Sequence, residues 1–313
     1  MDSFGPERTR AGEPELSDTH DAELHAQVDR AVAAWPVGEA VVAWFPLGVG
    51  PGDGGRPGPV CVAGSAETTF AWASVTKLVT ALAVLVAVEE GTTALDEPAG
   101  PPGSTVRHLL AHASGLGPEP GPPVCAPGKR RVYSNAGFVD LGDHIAERSG
   151  IPVAEYLREA VLEPLGMHGV RIDDPPAGLA AAGLSGNLDD LVRLAQEWAA
   201  PTVISTATRD EAIRVQWPEL GGIVPGFGRF DPCPWGLGPE IRGGKHPHWT
   251  GATNAPTTFG HFGSSGSFLW VDRAAGLAAV GLADRPFGPW AGRAWPELAG
   301  MLVAGLAPVS GQV

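Results

Sequence analysis

The sequence predicts an α+β protein in which a β-sheet domain is built from both ends of the chain and interrupted by a helical insertion. Three observations predict it. Runs rich in β-branched and aromatic residues, bounded by glycine and proline, occur before Ser65 and again after Trp235. Between them, apolar residues recur at helical spacing in segments separated by Pro/Gly loops. With 313 residues, 43% hydrophobic and 18% charged, the chain has the make-up of a globular protein that buries most of its surface. The divisions fall at 1–18, a mobile tail, at 19–95 together with 226–313, the sheet domain, and at 96–225, the insertion.

Taken in order, Leu24, Val28, Ala31 and Val32 give a surface helix between Asp18 and Trp35. Val41–Leu47 reads as a strand and Pro59–Gly64 as its hairpin partner. The stretch between them contains Gly50-x-Gly52-x-x-Gly55. A nucleotide-binding loop of that spacing must open a helix, whereas this one joins two strands and is laced with proline, so it reads as a turn. Phe70–Ser74 leads into a helix reaching Glu90 and stopped by Gly91; it is apolar on all sides and therefore buried on all sides. Within the insertion, Ser104 or Thr105 caps a helix running through His112. Asn135 caps another that starts near Ala136 and carries the stripe Phe138, Leu141 and Ile145. Asn187 precedes an amphipathic helix over Leu188–Trp198. Strands return at Trp235–Ile241, Thr258–His261, Ser267–Asp272 and Leu277–Ala283, and a helix over Trp290–Ala304 ends the pattern.

Charge and cysteine usage narrow the function. A formal net charge of −14 disfavours nucleic acid and anionic membrane surfaces as partners. Lys129-Arg130-Arg131, the densest basic run, reads as a solvated loop. The longest apolar run, Leu78–Val88, is too short to span a bilayer, and Met1–Asp18 lacks the pattern of a secretory signal. Cys61, Cys125 and Cys233 are odd in number and far apart, which fits free thiols in a reducing compartment. The expectation is a cytoplasmic protein acting on a small molecule, without cofactor or metal.

Three lysines and two tyrosines occur in the whole chain, and one of each sits in a short polar cluster beside a serine: Ser74-Val75-Thr76-Lys77 and Tyr133-Ser134-Asn135. Ser74 and Lys77, three apart at a helix start, share one face. A serine hydroxyl needs a base to become nucleophilic, and a lysine amine serves only when neutral. Lowering its pKa from about 10.4 to 7 takes roughly 4 to 5 kcal/mol of destabilisation of the cation. Burial beside an apolar helix and the positive end of the helix dipole both act in that direction. The Ser74 N–H at the helix start is also a candidate oxyanion donor. Tyr133 is a second candidate base, its phenol pKa expected to fall near a lysine ammonium; which of the two holds the proton belongs to the coupled pair. Asn135 is read both as a helix cap and as a site residue.

His261-Phe262-Gly263-Ser264 lies between aromatic strand residues, with glycine letting the edge approach a ligand and Ser264 N–H as the second oxyanion donor. His108 and His112, four apart, have zinc-ligand spacing, but with no third ligand at a recognised distance they read as packing or hydrogen-bonding residues. Neither Gly-x-Ser-x-Gly nor His-Glu-x-x-His occurs, which counts against α/β-hydrolases and the common zinc peptidases.

In order and spacing these motifs resemble the beta-lactamase-like serine hydrolases: class C beta-lactamases, D-alanyl-D-alanine carboxypeptidases, D-aminopeptidases and their esterase relatives. The likeness takes in His108-Leu-Leu-Ala-His112-Ala-Ser114-Gly115-Leu116, Pro127-Gly128, Glu163-Pro-Leu-Gly-Met167 and Trp235-Gly-Leu-Gly238, and runs from about Ala31 to the final helix. It implies an antiparallel sheet flanked by helices, with an all-helical insertion roofing the cleft. It also implies an acyl-enzyme on Ser74, proton movement by Lys77 and Tyr133, and substrate contacts from Asn135, His261, Gly263 and Ser264.

Many penicillin-binding relatives carry Lys-Thr-Gly where this chain has His261-Phe262-Gly263. Loss of that cation and hydroxyl typically forfeits about 1.5 to 3 kcal/mol of carboxylate binding. Arg242 or Lys245 is a candidate to restore the charge. The expected substrate is therefore a carboxylic ester or small amide. The alternatives are a D-peptidase or weak beta-lactamase, and a non-hydrolytic ligand-binding protein on the same fold.

Overall fold

A computed structural model describes residues 16–48, 56–65, 68–172 and 178–306. Helix α1 covers Leu16–Ala33, so residues 16–18 of the anticipated tail are helical, while the remainder of that tail and the Gly50–Gly55 turn lie outside the described residues. Strands β1 (Ala40–Pro46) and β2 (Cys61–Ser65) form the anticipated hairpin pair, and a two-residue β3 (Phe70–Ala71) precedes a single 3-10 turn at Ala73–Val75. Helix α2 (Thr76–Glu89) follows, then α3 (Val106–Leu110), α4 (Asn135–Ser149) and α5 (Val153–Leu157), the last running into a turn of π-helix at Arg158–Leu162. Next come β4 (Arg171–Ile172), α6 (Leu179–Ala182), β5 (Leu184–Gly186), α7 (Leu188–Ala199) and α8 (Thr206–Ala212). The chain continues through β6 (Gly222–Val224), β7 (Gly228–Phe230), β8 (Glu240–Ile241), β9 (Phe259–Phe262), β10 (Phe268–Asp272) and β11 (Leu277–Ala283) to α9 (Ala291–Gly305).

One antiparallel sheet, ordered β2-β1-β11-β10-β9-β8, joins the two ends of the chain. Its middle strands are apolar throughout because both faces are covered, and alternate residues serve different cores. Val41, Ala43 and Phe45 with Ala278, Val280 and Leu282 face one core, and Val42, Trp44, Ala279 and Ala283 face the other. Helices α1 and α9 pack on each other beside the second core; α7 lies on β10 and β11, and α2 sits in the first core. Two small sheets lie apart from it: β3-β5-β4 form one and β6-β7 the other. No helix among the described residues is long and apolar enough to cross a membrane.

Local sequence chemistry explains most helix ends. Thr105 caps α3 by accepting from the His108 N–H, and Asn187 caps α7 by accepting from Asp190 N–H at 2.9 Å. The cap of α4 is Ser134, which accepts from Gly137 N–H at 2.8 Å, and not Asn135 as the sequence suggested. Helix α3 stops at Leu110, two residues before His112, whose φ of 53° breaks the helical course. His108 and His112 therefore do not share a helical face, and the premise of a zinc pair falls.

The anticipated strand over Trp235–Ile241 shrinks to Glu240–Ile241. A Cβ on Gly236 would lie 2.1 Å from the Ala212 carbonyl, and one on Gly238 (φ 105°) 2.4 Å from Ala81 on α2. The chain turns there, with Gly236 N–H donating to Pro239 O at 2.9 Å, so that the loop fits against α2.

Because the Ser134 hydroxyl also donates to Gly117 O at 2.7 Å, it ties α4 to the preceding loop as well as capping it. Ser134→Ala should lower stability by about 1 to 2 kcal/mol, read from urea unfolding.

Candidate active site

Ser74 is presented by a backbone bend. Ala73 has φ 45°, in the left-handed region, which turns the chain from β3 into the 3-10 turn and then α2. A non-glycine residue held there costs about 1 kcal/mol or more, compensated by its surroundings. Those surroundings are the β9–β10 turn: Ser265 Oγ donates to Ala71 O at 2.6 Å and Ser267 Oγ to Trp72 O at 2.8 Å. Between them Gly263 lies against the same backbone, where a Cβ would come 2.3 Å from Trp72 O and 3.2 Å from the Ala73 Cβ. The end of β9 and the residues before Ser74 are thus sewn together, with Ser264 at the exposed tip.

Lys77, one turn along, is fully buried. Its Nζ lies 3.2 Å from Ser74 Oγ, 2.7 Å from Asn135 Oδ1 and 2.8 Å from Ala181 O. Thr76, Lys77 and Thr80 form a polar stripe on an otherwise apolar helix, and it docks the α6–β5 segment: Thr80 Oγ1 donates to Ala180 O at 2.7 Å and Thr76 Oγ1 accepts from Leu184 N–H at 3.2 Å. Burial brings the Lys77 pKa down to about 7. A neutral amine has two N–H donors and one lone pair. The two short contacts, to Asn135 and Ala181, take the donors, and the lone pair is left for the Ser74 hydroxyl.

Tyr133 donates its hydroxyl to Ser74 Oγ at 2.7 Å. Its phenol was expected to acidify near a lysine ammonium. Instead burial pushes it well above its ordinary value, against the opposing Ser74 hydrogen bond. With Lys77 itself partly neutral, the cation that would have acidified Tyr133 is weakened. The resting arrangement is therefore a protonated phenol, a serine and an amine, in a chain of two hydrogen bonds.

The loop carrying Tyr133 is held by residues the sequence ranked low. Val132 N–H donates to His112 O at 2.9 Å and Ser134 N–H to His112 Nδ1 at 3.1 Å, so His112 grips both neighbours of Tyr133 while its ring lies 4.6 Å from the phenol ring. Arg131, read as part of a solvated basic loop, is buried and donates to the carbonyls of Ala111, Gln216, Trp217 and Cys233. Only Lys129 and Arg130 of that run are exposed.

His261 is buried, with Nδ1 2.7 Å from Phe262 O and its ring 5.9 Å from that of Tyr133. Burial, then Lys77, takes its pKa down to about 4, so it carries no charge at pH 7. Phe262 turns into the second core, 4.8 Å from Phe287 and 6.1 Å from Trp295 between ring centroids. Both candidate replacement cations have hydrogen-bond partners within the chain. Lys245 is buried and bonds Glu240 Oε1 at 2.8 Å and Pro234 O at 2.9 Å, while Arg242 donates to Gly251 O at 3.2 Å and Gly243 O at 3.0 Å. Lys245 is thus neutralised by a carboxylate, whereas the half-buried Arg242 meets carbonyls alone.

The Lys77 shift has a consequence for stability with a definite sign. Between the folded value near 7 and the unfolded value near 10.5 the unfolded chain binds more protons, so stability rises with pH. Wild type should gain about 3 kcal/mol relative to Lys77→Met between pH 7 and pH 10, measured by urea unfolding at each pH. Gly263→Ala, which drives a Cβ into Trp72 O, should displace the β9–β10 turn and lower kcat/KM by about a hundredfold in steady-state assays.

A model of the Beta-lactamase family matches residues 31–301. A crystal structure of a beta-lactamase from Mycobacterium bovis superposes with a TM-score of 0.83 at 44% identity, covering 90% of this chain and 100% of that one. EstCE1, described as a hydrolase with promiscuous acyltransferase activity, matches with a TM-score of 0.72 over 92% of this chain and 100% of its own; at 17% identity it speaks for the fold alone. A protein of Salmonella heidelberg (strain SL476) with the provisional name D-alanyl-D-alanine carboxypeptidase is 26% identical over 225 residues, 59% of this chain and 51% of that protein. The chain spans about half the length of the curated relatives it matches. The family match opens at the end of α1 and closes within α9, taking in the whole sheet and everything inserted into it, and so the chain belongs to the Beta-lactamase family.

Proposed function

We propose that the protein is a serine hydrolase that forms an acyl-enzyme on Ser74 and acts on carboxylic esters or small amides. The observation that carries this reading is the placement of one hydroxyl between a phenol at 2.7 Å and a buried amine at 3.2 Å whose pKa is near 7. On attack, Ser74 Oγ bonds to the acyl carbon and its proton passes to Lys77. The amides of Ser74 and Ser264 receive the oxyanion. Tyr133, protonated at rest, gives its proton to the leaving atom and recovers one from Lys77. The Lys77 cation, 5.0 Å from the Tyr133 ring centroid, offsets the transient phenolate charge. Water then attacks the ester through the reverse proton transfers. Asn135 and the Ala181 carbonyl keep the amine aimed throughout. The three cysteines form no disulfide, which fits the cytoplasm.

A D-peptidase or beta-lactamase activity is the second reading, favoured by the names of the Salmonella and Mycobacterium relatives. Against it stand the pairing of Lys245 with Glu240 and the neutral His261, which weaken carboxylate recognition beside β9.

Hydrolysis of p-nitrophenyl butyrate should fall at least about a thousandfold in Ser74→Ala, and a fluorophosphonate should label Ser74 in the folded protein, read by mass spectrometry. Nitrocefin and a D-amino-acid anilide should turn over more slowly than the ester. Nitrocefin turnover rivalling the ester selects the second reading. An unlabelled Ser74 with no turnover of any probe selects a ligand-binding protein.

A further inference from the structure

Beside Tyr133 lies a cavity of about 500 Å³, a size that holds a substantial part of a small organic ligand. Its walls come from two segments that the sequence keeps far apart. One is the loop before α4, contributing Val124, Val132 and Tyr133; the other is the β6–β7 hairpin, contributing Ile223. Arg131 N–H donates to Gly221 O at 2.9 Å, and a Cβ on Gly222 would come 2.5 Å from the Arg131 side chain, so hairpin and loop are closely joined. Val124 is 57% exposed and Ile223 59% exposed, the two most exposed large apolar side chains among the described residues, and both face this cavity.

Two cations stand at its edge. Arg130 and Arg229 line it and are exposed. Arg130 forms no ion pair among the described residues, and Arg229 reaches Asp231 only at 3.8 Å, with both partners about two-thirds exposed. An exposed pair at that distance holds its partners weakly. The buried Arg131 guanidinium, which also lines the cavity, hydrogen-bonds to carbonyls and feels the Glu219 carboxylate only through space. In a chain of net charge −14, a rim of two exposed arginines, only one of them in a weak ion pair among the described residues, on an apolar cavity beside a catalytic candidate is a local exception.

We propose that this cavity receives the part of the substrate remote from the scissile bond, and that its preferred occupant is an apolar chain ending in an anion held by Arg130 and Arg229. The inference deepens, and rests on, the hydrolase reading. It also supplies, on the Tyr133 side, charge recognition that the neutral His261 and the paired Lys245 do not.

The anion belongs either to the acyl part or to the leaving group, and two pairs of esters separate these. The first is mono-p-nitrophenyl adipate against p-nitrophenyl hexanoate. The second is the butyrate ester of 4-hydroxybenzoate against that of its methyl ester. In one pair the anionic member should show a kcat/KM about tenfold higher. That ratio should fall towards unity in Arg130→Gln/Arg229→Gln and in high salt. Because it is a ratio within one preparation, a loss of folded protein does not affect it. A ratio at or below one in both pairs, or one that the double variant leaves unchanged, overturns the proposal. Calorimetric binding of the adipate monoester to Ser74→Ala, with and without the arginine changes, separates the two readings. If no ester is turned over yet the arginines still strengthen binding, the hydrolase reading fails and the anion subsite stands. Turnover without charge preference leaves the hydrolase and removes the subsite.

Discussion

The withdrawal of one amine from water is the constraint on which the site depends. Lys77 is carried into the core by an apolar helix and meets oxygen atoms that bear no formal charge: those of the Asn135 amide, the Ala181 carbonyl and the Ser74 hydroxyl. Holding an ammonium there would cost several kcal/mol, so the group gives up its proton near neutrality instead. Lys245 is equally buried but lies 2.8 Å from the Glu240 carboxylate, which His248 and Trp249 also contact. The same residue type becomes an ion-pair partner in one place and a candidate base in the other. The difference is the presence of a carboxylate.

The rest of the site keeps this uncharged geometry in place at some cost in backbone strain. Three non-glycine residues among those described have φ in the left-handed region, Ala73, His112 and Trp217, and all three serve this region. Ala73 aims Ser74. His112 grips the residues on either side of Tyr133, and Trp217 offers its carbonyl to Arg131 and its ring to His108 at 4.4 Å. Arg131 gathers four carbonyls from three segments of chain, so the loop bearing Tyr133 is fixed by hydrogen bonds a sequence pattern does not encode.

What the sequence made legible was whatever is set by near neighbours. Leu277–Ala283 alternates between two cores as a doubly covered strand must, Asn187 caps its helix in place, and the Ser74–Lys77 spacing gives one helical face. What it missed depends on distant partners. Asn135 looked like a cap because its neighbour Ser134, an equally good one, is distinguished only by contacts with Gly117 and Gly137; freed from capping, Asn135 reaches Lys77. The Trp235–Ile241 strand shortened because Gly236 and Gly238 are shaped by Ala212 and Ala81. The roles of Lys245 and Arg242 could not be foreseen without knowing where Glu240 and the 251–252 carbonyls fall. Ala181 gave no signal, since its contribution is a backbone carbonyl. The Tyr133 phenol moved opposite to expectation because burial, aided by the Glu240 charge, outweighs the Ser74 hydrogen bond.

The protonation state of Lys77 is directly measurable because the chain has only three lysines. Carbon-13 labelling of lysine Cε gives three resonances, and the Lys77 signal is identified by its loss in Lys77→Arg. It should titrate with a midpoint near pH 7 in the resting protein. An ammonium signal persisting unchanged to pH 9 would contradict the account, because a permanently charged Lys77 has no lone pair to offer Ser74.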